Sequence, residues 1–302
     1  MRRFVALVLS LGCVSLGCRS EAKTASEVTG GSPEARVRRL LYAAPSEPVE
    51  WLGPRPKDPA RVVSVAPGLT ETLFALGRGD RVVGVSRFVD FPEAAKERPQ
   101  VGGYTDLDVE AVLALEPHLV VAVPGGAYRA RLEQLALAGT SVVILPNSSV
   151  ADVRVWLETL GRVLGARDRA TALERQMLEG LLTLAERPTG SVRAVLVYGW
   201  NPVFVAGAGS FPDALLGVVG ATNAAPKGDS WPTLSEEALL GLSPRLIIDA
   251  AGGQPPPGIR AFEDQGRLSI ARAPSSSLLR PGPRMVEAAQ ALAALVAERG
   301  VD

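Results

Sequence analysis

One pattern of apolar and polar residues occurs twice along the chain. Residues 107–121 and residues 234–248 align without a gap, at an offset of 127 positions (234 − 107 = 127). The apolar residues that open the first copy are three or four positions apart, as on one face of a helix: Leu107, Ala111, Val112 and Leu115. A proline and then a short apolar run follow in both copies. Each copy therefore predicts a short amphipathic helix, a proline break and a buried strand.

The prolines of the two copies, Pro117 and Pro244, define how the helix should end. Proline cannot continue a helix, and it favours extended geometry in the residue before it. We therefore expect the residue before each proline to be extended. An offset of 127 residues is far longer than the period of a solenoid. The repeat instead predicts two similar lobes with a ligand-binding cleft between them.

The remaining pattern alternates β-branched runs with helical stretches. It predicts strands at 61–66, 81–85, 141–145, 191–198 and 203–205. It predicts helices at 70–76, 128–138, 213–219 and 286–299. Residues 150–187 contain no proline and predict two helices, the second of which, 168–186, would be about 28 Å long. This alternation is typical of an α/β protein with largely parallel sheets.

These elements divide the chain into five segments. We expect an N-terminal α/β lobe at 61–166, a connecting helix at 167–188 and a C-terminal α/β lobe at 189–302. Residues 19–60 are rich in Ser, Thr, Gly, Glu and Pro and predict a tether, within which 34–43 could form a short helix. Residues 1–18 predict an export signal.

The export signal is predicted from the order of its charged and apolar residues. Arg2 and Arg3 precede an apolar run, residues 4–16, that is too short for a comfortable membrane span. The segment that ends at Cys18 resembles the site at which bacterial lipoproteins are cleaved and acylated. We therefore expect a lipid anchor at Cys18 on the periplasmic face of a bacterial membrane, with a plain cleaved signal as the alternative. The other cysteine lies within the signal, so the mature chain would have no disulfide.

Charge and chemistry exclude several classes of function. The chain has 32 basic and 32 acidic residues, so no net basic field is available for nucleic acid.

The single histidine of the chain, His118, lies between a predicted helix and strand, where we expect an exposed turn. A His-cluster metal receptor is therefore excluded, as are Ser-His and Cys-His catalytic pairs not built on His118. An enzyme using paired carboxylates stays open, although no signature spacing indicates it. The Gly207–Gly209 turn lacks the residues of a phosphate loop, and Ser210 is expected to cap the next helix.

Aromatic side chains indicate what the cleft could bind. The chain has 15 Phe, Trp and Tyr residues. Several fall at predicted strand ends and turns: Phe88, Phe91, Tyr104, Tyr198, Trp200, Phe204 and Trp231. Lobe core is the simpler interpretation of each one. Together, flat side chains on loops at a cleft favour a large, planar, partly apolar ligand.

Several collinear stretches carry a family resemblance. They are residues 61–77, 82–86 with 90–92, 101–110, 201–204 and 231–237. Over about residues 61–300 the chain resembles class III periplasmic substrate-binding proteins, which serve ABC importers of cobalamin, haem and ferric siderophores. This resemblance implies two Rossmann-like α/β lobes with mainly parallel sheets, joined by a long backbone helix, with the ligand cleft between them. It also implies a non-enzymatic, monomeric receptor that works with a membrane permease and its ATPase.

Within that family the chain most resembles the cobalamin receptors. The resemblance implies six ligand-binding residues: Gly68, Phe88, Tyr104, Phe204, Trp231 and Arg280. It implies a corrinoid as ligand, with no resident cofactor and no bound metal. Val123 departs from the pattern, since a tryptophan is usual there, and a receptor for haem or a ferric siderophore is the alternative.

Two glutamates occupy the same position in the two copies of the repeat. Glu110 and Glu237 both fall on the polar face of the predicted helix. A solvated helix surface would explain each of them. The resemblance implies instead that both contact the permease, one from each lobe.

Overall fold

The computed structural model describes residues 31–299 as two β-sheets flanked by helices. The first sheet has the strand order β1-β5-β4-β2-β3, in which only β1 is antiparallel to its neighbour. Its strands are β1 (Glu50–Leu52), β2 (Val62–Ser64), β3 (Val82–Val85), β4 (Leu119–Ala122) and β5 (Ser141–Ile144). The predicted export signal and Cys18 lie outside the described residues.

The second sheet has the order β11-β10-β6-β7-β9, and β8 pairs with the start of β6. The pairs β10–β11, β6–β10 and β6–β8 are parallel, whereas β7 is antiparallel to β6 and β9. Its strands are β6 (Arg193–Trp200), β7 (Val203–Val205), β8 (Thr222–Asn223), β9 (Thr233–Leu234), β10 (Leu246–Asp249) and β11 (Ser269–Arg272). We call the parts built on the two sheets the N-terminal and C-terminal lobes. The predicted two-lobe α/β fold is confirmed.

Helices cover both faces of each sheet. In the N-terminal half they are α1 (Pro33–Leu41), α2 (Pro67–Ala75), α3 (Glu93–Lys96), α4 (Val109–Ala114), α5 (Arg129–Leu137) and α6 (Val150–Val163). The others are α7 (Arg167–Ala185), α8 (Phe211–Val218), α9 (Glu236–Gly241), α10 (Pro257–Asp264) and α11 (Met285–Arg299). Between residues 31 and 299, no helix combines the length and apolar character needed to cross a membrane.

The repeated sequence pattern produces the same unit in both lobes. Helix α4 and strand β4 lie 127 residues before α9 and β10 at every boundary (236 − 109, 246 − 119). Equivalent side chains cap the two helices: Asp108 accepts a hydrogen bond from the Ala111 N–H, and Ser235 from the Ala238 N–H. The predicted helix–strand unit is therefore confirmed, and the lobes are related through it.

The geometry expected before the two prolines is wrong. Glu116 and Ser243 have φ values of 45° and 50°, in the left-handed region rather than an extended one. Each lies one residue past the helix cap, and its N–H bonds to a carbonyl three residues earlier, at 2.9 Å. A left-handed residue there closes the helix end by satisfying a free carbonyl. This closure outweighs the extended preference that proline imposes.

Residues 33–52, within the segment predicted as a tether, are part of the fold. Helix α1 packs against α6 and α7, and β1 extends the first sheet beside β5. Asp152, fully buried in the first turn of α6, fixes the chain between them. Its carboxylate accepts hydrogen bonds from the Ser46 N–H and hydroxyl, at 2.8 and 2.6 Å, and from the N–H groups of Ser148 and Ser149. A polar composition concealed these contacts because the partner is 106 residues away.

One hydrophobic core runs through both lobes. It includes one face of each sheet together with α2, α6, α7, α8 and α11. Met177 and Leu181, on α7, are buried within it. The two predicted helices in residues 150–187 are thus present, and the second is built into the core that both lobes share.

We predict that Asp152→Ala lowers the free energy of unfolding by about 3 kcal/mol, because it leaves buried N–H and O–H donors without an acceptor. Asp213→Ala is the matched control, since Asp213 has the same place in α8 but accepts only from the Gly209 N–H outside its helix. It should cost about 1 kcal/mol or less. Urea denaturation measures both, and equal losses would contradict the role given to Asp152.

Candidate functional site

The candidate site lies where the loops after the parallel strands meet. In open α/β sheets, ligands bind outside the carboxyl ends of the strands. Phe88 follows β3, and the loop after β2 leads directly into α2 with Gly68 in its first turn. In the other lobe Trp200 ends β6, and residues 278–284 follow β11. We call residues 278–284 the inter-lobe segment, since they contact both lobes.

The inter-lobe segment carries two arginines that bind one buried carboxylate of the N-terminal lobe. Glu71, on α2, is only 3% exposed. Its carboxylate accepts hydrogen bonds from Arg280 Nη2 at 3.0 Å and from Arg284 Nε and Nη2 at 3.0 and 3.1 Å. Arg280 also pairs with Asp90. The guanidinium of Arg284 lies 4.0 Å over the ring of Phe91, so both arginines contact the opposite lobe.

Gly68 lies at the same contact. A Cβ atom at this position would be 2.3 Å from the carbonyl oxygen of Pro281 and 3.1 Å from the Trp156 ring. The first turn of α2 therefore touches the backbone of the inter-lobe segment, and only glycine permits that approach. Its predicted contact with a ligand stays a prediction.

The N-terminal lobe contributes one aromatic group. Phe88 and Tyr104 stack with ring centroids 5.7 Å apart and planes 13° apart, and Tyr104 lies 6.3 Å from Tyr128. Phe88 is 49% exposed, whereas Tyr128 is buried and donates its hydroxyl to the Val123 carbonyl. Arg87 covers Phe88 and pairs with Asp106. A flat, partly exposed surface results.

The C-terminal lobe contributes a second aromatic group. Trp231 stacks on Phe204 at 5.8 Å and 22°, and it meets Tyr198 edge-on at 5.2 Å. The Tyr198 hydroxyl donates to the carbonyl of Leu278, in the inter-lobe segment, at 3.1 Å. Phe204 is exposed. The structure thus brings Phe204 and Trp231 together, as it does Phe88 and Tyr104, and their contact with a ligand stays a prediction.

The tyrosines of both groups hold their protons strongly. Burial raises the pKa of Tyr104, and the nearby charge of Arg280 only partly opposes this. Burial also raises the pKa of Tyr128, with a further contribution from Tyr104. Burial alone raises the pKa of Tyr198. These hydroxyls therefore stay neutral at physiological pH.

Glu110 and Glu237 are both exposed, in the first turns of α4 and α9. Hydrogen bonds from its own N–H and from the Ser235 hydroxyl lower the pKa of Glu237. The contact of Glu110 and Glu237 with a permease stays a prediction.

His118 is exposed and lies at the amino end of β4, opposite the candidate site. Its Nδ1 accepts a hydrogen bond from the Ala60 N–H at 3.2 Å. The expected exposed turn is confirmed there.

Glu71 is the main residue that sequence reasoning missed. It has no signature spacing, and its partner Arg284 lies 213 residues away along the chain. Nothing in the sequence required its carboxylate to be buried, whereas the structure leaves it 3% exposed. The weak signal available was a carboxylate within an otherwise apolar helix, since Leu69, Leu73 and Leu76 surround it.

Comparison with known proteins identifies the family. A family model described as periplasmic binding protein matches residues 62–263, and the chain belongs to this family of substrate-binding receptors. A vitamin B12-binding protein of Pectobacterium atrosepticum is 28% identical over 80% of this chain and 89% of its own. A periplasmic haem-binding protein of Pseudomonas aeruginosa is 29% identical, with a TM-score of 0.67 over 78% of this chain and 92% of its own.

The fold likeness extends to a periplasmic vitamin B12 binding protein of Vibrio cholerae. The TM-score is 0.69, over 82% of this chain and all of that one, at 23% identity. The chain is therefore a two-lobe periplasmic binding protein, a component of the kind that serves ABC importers.

We predict that Gly68→Ala destabilises the protein by about 1–3 kcal/mol, because the new methyl group must displace the Pro281 carbonyl. Gly217→Ala is a suitable control, since Gly217 is also helical and a Cβ atom added to it would have no other atom within 4 Å. That change should be neutral or slightly stabilising. Thermal unfolding compares the two, and an unaffected Gly68→Ala protein would argue against close docking of the lobes.

Proposed function

We propose that this receptor captures cobalamin or a related corrinoid between its lobes and delivers it to a membrane permease and ATPase. The observation that carries the proposal is the pair of stacked aromatic groups, Phe88–Tyr104 and Phe204–Trp231, one in each lobe. Flat, partly exposed rings suit a large planar ligand that is gripped by surface contact. The 28% identity to a vitamin B12-binding protein supports the same ligand class.

Metal coordination provides a reason to prefer a corrinoid over haem. Proteins hold haem iron through His, Cys, Met or Tyr side chains. His118 lies at the amino end of its strand, and Met177 and Met285 are buried in the core. The tyrosines at the site have raised pKa values, which disfavour the tyrosinate form. A corrinoid supplies its own ring nitrogens and lower ligand to cobalt, so it requires no such side chain.

Charge supports the same preference. The arginines at the site are paired with carboxylates: Arg87 with Asp106, Arg280 with Glu71 and Asp90, and Arg284 with Glu71. Haem presents two propionate carboxylates, for which neutralised arginines provide weak attraction. The peripheral amides of a corrinoid carry no charge. Haem remains the second candidate because a haem-binding protein is 29% identical to this chain.

Calorimetry and absorption spectroscopy test the proposal. Purified protein is mixed with cyanocobalamin, haem or a ferric hydroxamate siderophore, and retained colour is measured after gel filtration. We expect one cyanocobalamin per chain and neither haem nor siderophore retained. Retention of haem without cobalamin would replace the proposed ligand with the alternative one.

We place the mature receptor at the periplasmic face of a bacterial membrane, as a monomer lipid-anchored at Cys18. The family of periplasmic binding proteins supports the compartment. The anchor rests on the sequence around Cys18 alone.

Trp231→Ala should weaken cobalamin binding by about 1–3 kcal/mol, or roughly 5- to 150-fold in Kd, because it removes a stacked ring from the cleft. The matched control is Trp51→Ala, since Trp51 is a half-buried strand tryptophan under Arg55 on β1. Its binding should equal that of the wild type. A Trp231→Ala protein that is largely unfolded by circular dichroism would assign Trp231 to the core instead.

Glu110→Ala combined with Glu237→Ala should leave corrinoid binding intact and abolish transport, with milder effects from each single change. Exposed charges at a rim steer and register docking more than they add affinity. The control is Glu133→Ala with Glu179→Ala, two exposed glutamates on other helices. Uptake by reconstituted vesicles is the measurement. Normal uptake with the Glu110→Ala, Glu237→Ala variant would mean that both residues belong to a solvated helix surface with no role in docking.

A further inference from the structure

The two lobes differ in charge at the equivalent strand ends that follow the repeat. Strand β4 ends at Ala122, whose partner on the neighbouring strand is Ile144. The equivalent strand β10 ends at Asp249, whose partner on the neighbouring strand is Arg272. The repeat preserves the apolar residues of both strands and replaces this apolar pair with a charged one. A buried carboxylate is costly unless it is fully paired, so its presence needs an explanation.

Both carboxylate oxygens of Asp249 have bonding partners. It is 4% exposed, and its Oδ1 accepts hydrogen bonds from Trp200 Nε1 and the Ala251 N–H, both at 3.0 Å. Its Oδ2 pairs with Arg272 Nη1 at 3.2 Å. The carboxylate therefore holds an indole and a guanidinium in fixed positions at the carboxyl ends of three adjacent strands.

The ion pair with Asp249 orients Arg272 but uses only part of its hydrogen-bonding capacity. Its side chain is 64% exposed, and the ion pair engages one terminal nitrogen of a group that has five N–H donors. The indole of Trp200, which also bonds to Asp249, is half-buried, and the following loop passes near that ring at Gly253. The Arg272 guanidinium thus provides oriented hydrogen-bond donors next to the flat apolar surface of the Trp200 indole.

The equivalent place in the N-terminal lobe belongs to the aromatic group. Tyr128 packs in one cluster with Ala122 and Ile144, and it lies next to Tyr104. The two lobes therefore present, at matching positions, an aromatic surface on one side and a polar group on the other. This is the arrangement expected when one face of a ligand is apolar and its periphery carries polar groups.

We propose that Trp200, Asp249 and Arg272 form a polar subsite of the cleft, in which Arg272 donates hydrogen bonds to a carbonyl oxygen of a peripheral amide on the ligand. Asp249 is a positioning residue that orients Arg272 and cancels its charge, which favours a neutral amide over a carboxylate. The subsite rests on the proposed function, since the amide belongs to the corrinoid.

The test compares Kd values for cyanocobalamin and for its derivative in which one peripheral amide is hydrolysed to the acid. Arg272→Gln should raise the Kd of cyanocobalamin about tenfold. Asp249→Asn with Arg272→Gln, which removes both charges and keeps the shape of the site, should weaken binding equally. Arg267→Gln is the control, because Arg267 precedes the amino end of β11 and lies over Phe262. The Kd of this variant for cyanocobalamin should equal that of the wild type. The wild type should bind the acid no more tightly than the amide.

The possible failures are distinguishable. Equal cyanocobalamin affinity in the wild type and both Arg272 variants, all folded by thermal denaturation, would overturn the subsite and leave the proposed function intact. Tighter binding of the acid than of cyanocobalamin would overturn the preference for an amide. Failure of the wild type to bind any corrinoid would overturn the proposed function and the subsite together.

Discussion

A single buried carboxylate fixes how the two lobes meet. Glu71 is almost entirely removed from water, and such a group is tolerated only when opposite charges and hydrogen bonds replace the lost hydration. Both replacements, Arg280 and Arg284, come from the other lobe. Separating the lobes would leave the Glu71 carboxylate without its arginine partners and would part Arg280 from both Glu71 and Asp90. Together with α7 and the shared hydrophobic core, this contact opposes opening.

A fixed contact at this place has consequences for the site. The inter-lobe segment bonds to Tyr198 through Leu278, and it reaches Gly68, Asp90 and Phe91 on the other lobe. The segment therefore contacts the C-terminal aromatic group directly, and in the N-terminal lobe it contacts residues two and three positions after Phe88, before any ligand arrives. Preorganised rings lose little conformational freedom on binding, so more of their contact energy contributes to affinity. Recognition by fixed surfaces also requires no metal-ligating side chain.

Local patterns predicted the fold well, and long-range pairing limited the rest. The repeated pattern was sufficient to predict α4, β4, α9 and β10, because helical spacing, proline and apolar runs determine structure within about 15 residues. The aromatic residues were predicted to line the candidate site from their places near strand ends and turns and from the family resemblance, and that assignment stays a prediction. The packing of residues 33–52 could not be predicted, since Ser46 depends on distant Asp152. The pairing of Glu71 with Arg284 and the left-handed Glu116 similarly follow from tertiary and capping contacts that no local preference encodes.

The rigidity of the cleft is tested most directly by small-angle X-ray scattering from free and cyanocobalamin-loaded protein, with Glu71→Gln measured alongside. If the Glu71 contact and the continuous helix α7 hold the lobes in place, the free and loaded wild-type profiles should superimpose. The Glu71→Gln protein should be more expanded when free and should compact on loading. A large compaction of the wild-type protein on loading, equal to that of the variant, would contradict a preformed cleft.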